Sequence, residues 1–244
     1  MTSKLILPNY LPDQPGAQPP FLSPDYKSTV IRSPMREPID LPQRLTEITN
    51  PVYGVRHLND SENDLTKQHE GEPQGQRIIV YGKVVDSNNQ PVKNTLIEIW
   101  QTNAGGRYRH VVDNWDSPLD PNFSGVGRTT TNDKGEYEFI TIKPGAYPWR
   151  NHHNAWRPAH IHFSLFGRAF VQRLVTQMYF PEDPLFSQDP IFNSITDPKA
   201  RERLISTFDL DRTIPSWALA FNFNIVLRGS NQTPFEEEDD GDVA

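Results

Sequence analysis

Short runs in which polar and apolar residues alternate recur from Arg77 to Leu227, and they limit the chain to a β-rich fold. Alternation with a period of two is typical of half-buried β-strands. Several such strands separated by turn-forming residues are typical of an antiparallel sandwich. Alternation is clear in Thr95–Gln101, in the segment with His160 and His162, and in Phe221–Leu227. The full set of predicted strands is Arg77–Val85, Thr95–Gln101, Gly127–Thr131, Glu136–Ile142, Ala159–Phe166, Phe170–Tyr179 and Phe221–Leu227. The pattern predicts a mainly β protein, an antiparallel β-sandwich of the prealbumin type with long loops and one or two short helices.

Asp197 and Pro198 are good residues for a helix start, and we predict a helix that continues to Thr207.

A proline-rich segment precedes the β-rich region. Ten of the 23 prolines lie within the first 51 residues, and proline fixes φ and lacks an amide donor. We therefore predict that residues 1–75 form an extended arm with a short helix, packed on the core or on a partner chain. Its larger side chains argue against simple disorder; they are Tyr10, Phe21, Tyr26, Ile31 and Met35. Residues 76–230 are predicted to form the β-sandwich catalytic domain, and residues 231–244 a solvated acidic tail that includes Glu236.

The composition excludes several classes of protein and site. The 244-residue chain has no cysteine, which rules out disulfides and thiolate metal sites. Its net charge is −7, which disfavours binding to a phosphate backbone, so no nucleic-acid partner is expected. No apolar run is long enough to span a bilayer, and the first ten residues do not resemble a signal peptide. We therefore expect a cytoplasmic protein with no membrane partner.

The segment Trp156–Phe163 contains two histidines two residues apart. Successive side chains of a strand point to opposite faces, so His160 and His162 share one face while Ile161 and Phe163 face the core. Neutral imidazole is a common metal ligand, and the pair predicts a metal site. A polar stripe on a solvated sheet face is the alternative, with no metal.

Two further segments leave a strand, turn at glycine and present a tyrosine. One carries Tyr108 after Gly105 and Gly106, and the other carries Tyr147 after Pro144 and Gly145. Loops after strands often place functional side chains. A bound trivalent cation would favour the phenolate form of tyrosine. Either tyrosine alone could equally be a packed aromatic with its hydroxyl at the surface.

Three motifs together resemble the intradiol ring-cleavage dioxygenases. They are Gly105–Tyr108, Lys143–Trp149 and Trp156–His162, and they occur in the family's order. The resemblance extends from Ser23 to Gly229, and it is closest to the iron-bearing chains of the branch that acts on protocatechuate. The extended proline-rich arm favours this branch over the catechol 1,2-dioxygenases, which begin with a helical dimerisation region.

The resemblance implies a mononuclear non-haem Fe(III) and a set of site residues. The implied metal ligands are Tyr108, Tyr147, His160 and His162. Tyr147 would be the ligand that leaves when a catechol binds, Arg157 would stabilise negative charge on the substrate, and Gln177 would lie beside the ring. The implied substrate contacts are Tyr26, Trp100, Trp149, Arg150 and Ile191. Core packing explains Trp100, Trp149 and Ile191 equally well, and a surface position explains Arg150.

The reaction implied is cleavage of an anionic catechol by O2 between its two hydroxyl-bearing carbons, giving a substituted cis,cis-muconate. Two histidines in the loop before the ligand pair, His152 and His153, leave the ring substituent open between the carboxylate of protocatechuate and a sulfonate, as in 4-sulfocatechol. The resemblance also implies a homologous α subunit without iron ligands, joined to this chain in an (αβ)n assembly.

Two other functions are compatible with parts of the sequence. The stretch from Gly82 to Tyr137 also resembles prealbumin-like sandwiches that bind carbohydrate or act as spacers, and fold alone does not fix function. An Fe(II) oxygenase would need a carboxylate beside the two histidines, and no Asp or Glu lies near His160 and His162 in the sequence.

Overall fold

Eleven β-strands form most of the regular structure in the computed structural model, which describes residues 14–28, 36, 39, 58, 62–166, 173–227 and 229–236. The strands are β1 (Arg77–Val85), β2 (Leu96–Trp100), β3 (Val126–Thr130), β4 (Glu136–Ile142), β5 (Tyr147–Pro148), β6 (Trp156–Arg157), β7 (His160–Phe166), β8 (Arg173–Tyr179), β9 (Thr207–Ile214), β10 (Ala218–Asn222) and β11 (Ile225–Val226). The helices are α1 (Pro190–Ser194), α2 (Pro198–Glu202) and two 3-10 turns, Leu65–Lys67 and Phe186–Gln188. None of the helices in the described residues is both long and apolar enough to cross a membrane.

The strands form two main sheets and one short ribbon. In the first sheet, β1 pairs antiparallel with β4 on one side and parallel with β10 and then β11 on the other, and β9 forms the edge beside β10. The second sheet has the order β3-β2-β7-β8 and is antiparallel throughout. The ribbon joins β5 to β6. The predicted sandwich class is confirmed. Strand β1 also forms parallel pairs with β10 and β11, which the alternation of residues does not predict. Strands that pair in parallel are joined by a long connection, so the pairing partners are far apart in the sequence.

The main core lies between the two sheets and is built from the apolar faces of their strands. Phe163 of β7 contacts the rings of Tyr137, Phe139 and Phe223. Its neighbours on the same face of β7, Ile161 and Leu165, are buried in the same cluster. The interior face of the second sheet is therefore fixed by the apolar half of the alternation in β7.

The predicted and observed elements differ most near the C-terminus. The strands β1 and β4 have the predicted bounds, but α2 ends at Glu202 rather than at Thr207. The helix stops because the next residues pair with the end of β8. The amide of Tyr179 donates to the carbonyl of Leu204, and the amide of Ser206 donates to the carbonyl of Tyr179, both at 2.8 Å. The strand predicted over Phe221–Leu227 is likewise divided between β10 and β11.

The described part of the N-terminal arm packs on the sandwich at several points. Tyr26 is buried, and Ala17 lies in a second hydrophobic cluster with Tyr179 and Phe192. The side chains of Phe21 and Leu22 are exposed. The predictions for Tyr10, Ile31, Met35 and residues 237–244 lie outside the described residues, and the division of the chain at residues 75 and 230 stays a prediction.

Candidate metal centre and substrate pocket

The polar face of β7 is as buried as its apolar face. His160 is 2% exposed, His162 is 7% exposed and Ser164 is fully buried. Strand β7 lies between β2 and β8, so cross-strand neighbours surround the histidines: Trp100 is opposite His162, Gln177 is opposite His162 on the other side, and Tyr179 is opposite His160. The two imidazoles therefore lie in a closed polar layer rather than on a solvated sheet face.

The hydrogen bonds of the two histidines assign their tautomers. Nδ1 of His160 lies 2.7 Å from the carbonyl oxygen of Pro158, which only accepts, so Nδ1 carries the proton. Nδ1 of His162 donates to Glu236 Oε2 at 2.8 Å. Burial, followed by the charge of Arg157, holds the pKa of His160 well below its usual range. The two Nε2 atoms lie 3.2 Å apart, and this tautomer assignment directs both lone pairs into the same small space.

Two loops bring tyrosines to this space, and glycines let the loops interlock. Gly106 has a φ of +78°, and a Cβ there would lie 2.1 Å from the carbonyl oxygen of Ala146. Gly145 donates its amide to the carbonyl of Asn103 at 2.9 Å. A larger residue at position 106 would both strain the backbone and separate the loops. This close approach sets the rings of Tyr108 and Tyr147 edge to face, with centroids 5.4 Å apart.

The Tyr108 hydroxyl contacts a histidine, and the Tyr147 ring lies beside the other one. The Tyr108 hydroxyl is 2.9 Å from His162 Nε2, and the ring centroid of Tyr147 is 5.5 Å from that of His160. Burial raises the pKa of the Tyr108 phenol well above its usual value, and the neighbouring Tyr147 raises it further. Burial also raises the pKa of Tyr147, although Arg157 opposes the shift. Both phenols therefore stay protonated at neutral pH unless a cation offsets the cost of ionisation.

These four side chains could hold a trivalent metal ion. They offer two neutral imidazole nitrogens and two phenol oxygens, and two phenolates would balance two of the three charges of Fe(III). Within the described residues no group of three or more His, Asp or Glu side chains is placed to hold a metal ion. The side chains beside the two imidazoles that can become anionic ligands are the tyrosines. The carboxylate nearest the pair, Glu236, contacts His162 at Nδ1, away from the space between the two Nε2 atoms. The donor set fits Fe(III) better than the two-histidine, one-carboxylate set of Fe(II) oxygenases.

Arg157 lies at the centre of a buried hydrogen-bond network beside the candidate ligands. Its Nη2 atom lies 2.6 Å from Gln177 Oε1, 2.9 Å from Tyr179 Oη and 3.0 Å from Asp189 Oδ2. Its Nη1 atom lies 3.5 Å from Tyr147 Oη and 3.2 Å from His160 Nε2. The guanidinium therefore joins β8 and the start of α1 to the candidate metal ligands.

The charge of Arg157 is buried and compensated. Burial by itself would lower the pKa of Arg157, but Asp189 and the nearby phenols raise it well above its usual value. Asp189 is fully buried and also caps α1, because its Oδ1 accepts from the amide of Ile191 at 3.0 Å. Removing one partner of such a buried pair typically costs about 3–5 kcal/mol. Asp189 thus fixes both the guanidinium and the backbone at Ile191.

The predicted substrate-contact residues divide into two groups. Trp100 stacks on His162, with centroids 4.7 Å apart and planes 8° apart, so it packs against a candidate ligand. Trp149 lies between Tyr26, whose ring centroid is 5.4 Å away, and the Arg157 guanidinium, whose central carbon is 5.8 Å away. Ile191 lines a small cavity with Gln177. Arg150 is exposed, and no described contact joins its side chain to the others.

Sequence reasoning missed three buried residues at this site: Tyr179, Asp189 and Glu236. Tyr179 shares the face of β8 with Gln177, so the period of two could have found it. Asp189 precedes a proline at a helix start, which signals a cap and not a site residue. Glu236 was expected in a solvated tail, yet its side chain is only 15% exposed and contacts both His162 and Gln177. No local pattern distinguishes it from the acidic residues that follow.

Comparison with known protein families and solved structures agrees with the fold. Residues 48–229 match the family model described as "Dioxygenase", and residues 10–44 match the one described as "Protocatechuate 3,4-dioxygenase beta subunit N terminal". Two solved structures share the fold at 20% identity and a TM-score of 0.51. Hydroxyquinol 1,2-dioxygenase from Pseudomonas putida DLL-E4 covers 80% of this chain and 69% of its own length, and 3-chlorocatechol 1,2-dioxygenase from Rhodococcus opacus 1CP covers 78% and 69%.

Two relatives match most of the sequence. The protocatechuate 3,4-dioxygenase beta chain of Burkholderia cepacia is 56% identical over 222 residues, which cover 90% of this chain and 94% of that one. The protocatechuate 3,4-dioxygenase alpha chain of Pseudomonas putida is 29% identical over 81% of this chain and 98% of its own length. The expected enzyme class, an aromatic-ring dioxygenase, is confirmed. The chain belongs to the intradiol ring-cleavage dioxygenase family.

Proposed function

We propose that this chain carries an Fe(III) centre and uses it to cleave anionic catechols with O2 between the two hydroxyl-bearing carbons, which gives a substituted cis,cis-muconate. The observation that carries the proposal is the convergence of His160 Nε2, His162 Nε2, Tyr108 and Tyr147 in one buried space. An Fe(III) held by these four side chains would act as a Lewis acid towards a bound catechol and so activate its ring towards O2. A spacer or carbohydrate-binding sandwich would need none of these buried groups.

The chain's own residues prepare the pocket for an anionic ring. Tyr147 is the exchangeable ligand in this proposal, because its hydroxyl also lies 3.5 Å from Arg157 Nη1 and can rest there when a catechol takes its place. Its phenolate oxygen then accepts a proton released by the incoming catechol. Arg157 keeps a fixed positive charge beside the ring, in a water-poor site where such a charge is most effective.

Two side chains assigned to the site, Arg157 and Trp149, each carry a buried N–H group without a described partner. Arg157 Nε and Trp149 Nε1 are both buried and have no hydrogen-bond partner among the described residues. Leaving such a donor unpaired costs about 1–3 kcal/mol, so a ligand oxygen would be a favourable partner.

Protocatechuate is the substrate that we favour, because the Burkholderia cepacia relative carries that name at 56% identity. His152 and His153 are exposed on a neighbouring loop, and they keep 4-sulfocatechol as the second candidate.

A direct experiment tests the proposal. When the chain is purified together with the α-type partner proposed below and loaded with iron, it should consume one O2 per protocatechuate ring and form the carboxymuconate. It should be red-brown, because phenolate ligands give charge-transfer absorption with Fe(III). Catechol and 4-sulfocatechol, assayed in parallel, rank the ring substituents. A colourless protein that binds no Fe(III), or one that leaves all three rings intact, would overturn the proposal.

Replacing Tyr147 with phenylalanine tests its role as the exchangeable ligand. Tyr147→Phe should retain iron through the other three ligands but bind catechol and release product more slowly, because the proton acceptor is gone. Stopped-flow absorbance under anaerobic conditions measures the binding phase. Tyr137→Phe is the matched control, since its buried hydroxyl donates to the carbonyl of Phe223 in the core. Unchanged single-turnover kinetics in Tyr147→Phe would rule out the role.

Replacing Arg157 tests electrostatic stabilisation of the substrate. Losing such a group typically costs about 2.7–4 kcal/mol, or roughly a hundred- to thousand-fold in rate. Arg157→Ala should show that loss in kcat. The single variant also leaves the buried Asp189 carboxylate unpaired, so the double variant Arg157→Ala/Asp189→Asn is needed to separate folding from catalysis. We expect the double variant to keep its iron and colour but not its turnover. Turnover near the wild-type rate in either variant would contradict the assignment.

We also propose that the chain works with a homologous, iron-free α subunit in an (αβ)n assembly, within a cytoplasmic pathway of aromatic-ring catabolism. The names of the two relatives, a beta chain and an alpha chain, support this pairing. Exposed apolar side chains at Phe21 and Leu22 on the arm, and at Phe208 and Leu210 on edge strand β9, leave surface for a partner.

Co-expression tests the assembly. The chain expressed alone should be poorly soluble or inactive, because ordering a free arm costs about 1–2 kcal/mol per residue. Co-expression with an α-type chain should give a stable complex that contains both chains in equal amounts and has ring-cleavage activity. Size-exclusion chromatography with light scattering measures the stoichiometry. Full activity from a homogeneous preparation of this chain alone would contradict the proposal.

A further inference from the structure

Residues 232–236 return from the far end of the sandwich and lie along the edge of β8, beside the candidate metal centre. The carbonyl of Pro234 accepts from Thr176 Oγ1 at 2.7 Å, and the amide of Glu236 donates to the carbonyl of Val175 at 2.7 Å. The amide of Phe235 donates to Gln18 Oε1 of the N-terminal arm, also at 2.7 Å. Backbone and side-chain bonds on both sides therefore hold the segment in register with β8.

The registered segment places one carboxylate against two site residues. Oε2 of Glu236 accepts from His162 Nδ1 at 2.8 Å, and Oε1 accepts from Gln177 Nε2. Gln177 uses its other amide atom, Oε1, to accept from Arg157 at 2.6 Å. A single carboxylate is thus hydrogen-bonded to the imidazole on one side and, through Gln177, to the guanidinium on the other.

We infer that Glu236 is a positioning residue that fixes the Nδ1–H tautomer of His162 and so presents the Nε2 lone pair to the metal. The inference deepens the proposed function and rests on its metal centre. An imidazole ligand whose other nitrogen donates to a carboxylate is held in one orientation and is a stronger base. His162 also stacks on Trp100, which fixes the plane of the ring but not the position of its proton. The carboxylate supplies that missing restraint.

Two hydrogen bonds explain how the Glu236 carboxylate can be largely buried although the sequence that follows it is strongly acidic. A charged carboxylate loses hydration when it is buried and needs hydrogen bonds in return. Glu236 receives one from an imidazole and one from an amide. Its second contact also orients Gln177, whose amide could otherwise turn over and present its NH2 group to Arg157. Glu236 therefore acts on two site residues through two separate oxygens.

Metal affinity and tautomer state provide the test. Loss of such a partner typically lowers metal affinity by about 10–100-fold, and we expect Glu236→Ala to lose Fe(III) to a competing chelator with a dissociation constant raised by that factor. Glu236→Gln keeps an acceptor oxygen and should lie between Ala and wild type. The charge-transfer band should shift in both variants, since the donor strength of His162 changes. Glu138→Ala is the control, because that carboxylate lies on the other sheet and forms an exposed ion pair with Arg212.

A second measurement needs no metal. In the iron-free protein, nitrogen-15 NMR of His162 should report the Nδ1–H tautomer in the wild type and in Glu138→Ala, and a tautomer mixture in Glu236→Ala. Equal iron affinity, an unchanged band and an unchanged tautomer in Glu236→Ala would overturn the inference about Glu236. A wild-type protein that binds no Fe(III) would instead overturn the proposed function, and the tautomer measurement would still decide what Glu236 does.

Discussion

The alternation of side chains along β7 is the constraint on which both the core and the pocket depend. Its odd-numbered residues, including Phe163, fill the space between the sheets, while its even-numbered residues, His160 and His162, form the pocket floor. A shift of the strand by one residue would exchange the two faces and destroy both at once. The strand is held in register by neighbours on both sides, β2 and β8. The stability of the core therefore also fixes the positions of the two imidazoles.

A buried positive charge organises the other half of the pocket. Arg157 is surrounded by oxygen acceptors from three parts of the chain, of which Asp189 is the only carboxylate that it contacts directly among the described residues. Buried ion pairs add little net stability compared with apolar packing, but breaking one is costly. The arrangement is better explained as a way to hold a guanidinium at a fixed place beside the candidate metal ligands. Asp189 extends that order to α1 and to the pocket wall at Ile191.

The remaining parts of the site come from segments that are far apart in the sequence. Loops after β2 and β4 bring the two tyrosines together, and they can approach each other only because glycine occupies positions 106 and 145. The C-terminal segment contributes Glu236, and its neighbour Phe235 bonds to Gln18 in the N-terminal arm. The same segment thus joins the arm, the strand β8 and the ligand His162. Loss of either terminus would disturb the pocket as well as the surface of the sandwich.

The amino-acid sequence by itself determined the class of fold and the chemical groups of the site. Runs rich in apolar and β-branched residues predicted β1 and β4 to the residue. The paired histidines and the two tyrosines after glycine turns indicated the candidate ligands, because each of these signals is local in sequence. Only the tertiary structure decided the parallel pairs of β1, the early end of α2 and the roles of Tyr179, Asp189 and Glu236. Each of these depends on a contact between distant residues; Glu236 meets a histidine 74 positions away. An acidic residue near a chain end has the same local pattern whether it is solvated or bonded to an imidazole, so no local pattern could reveal it.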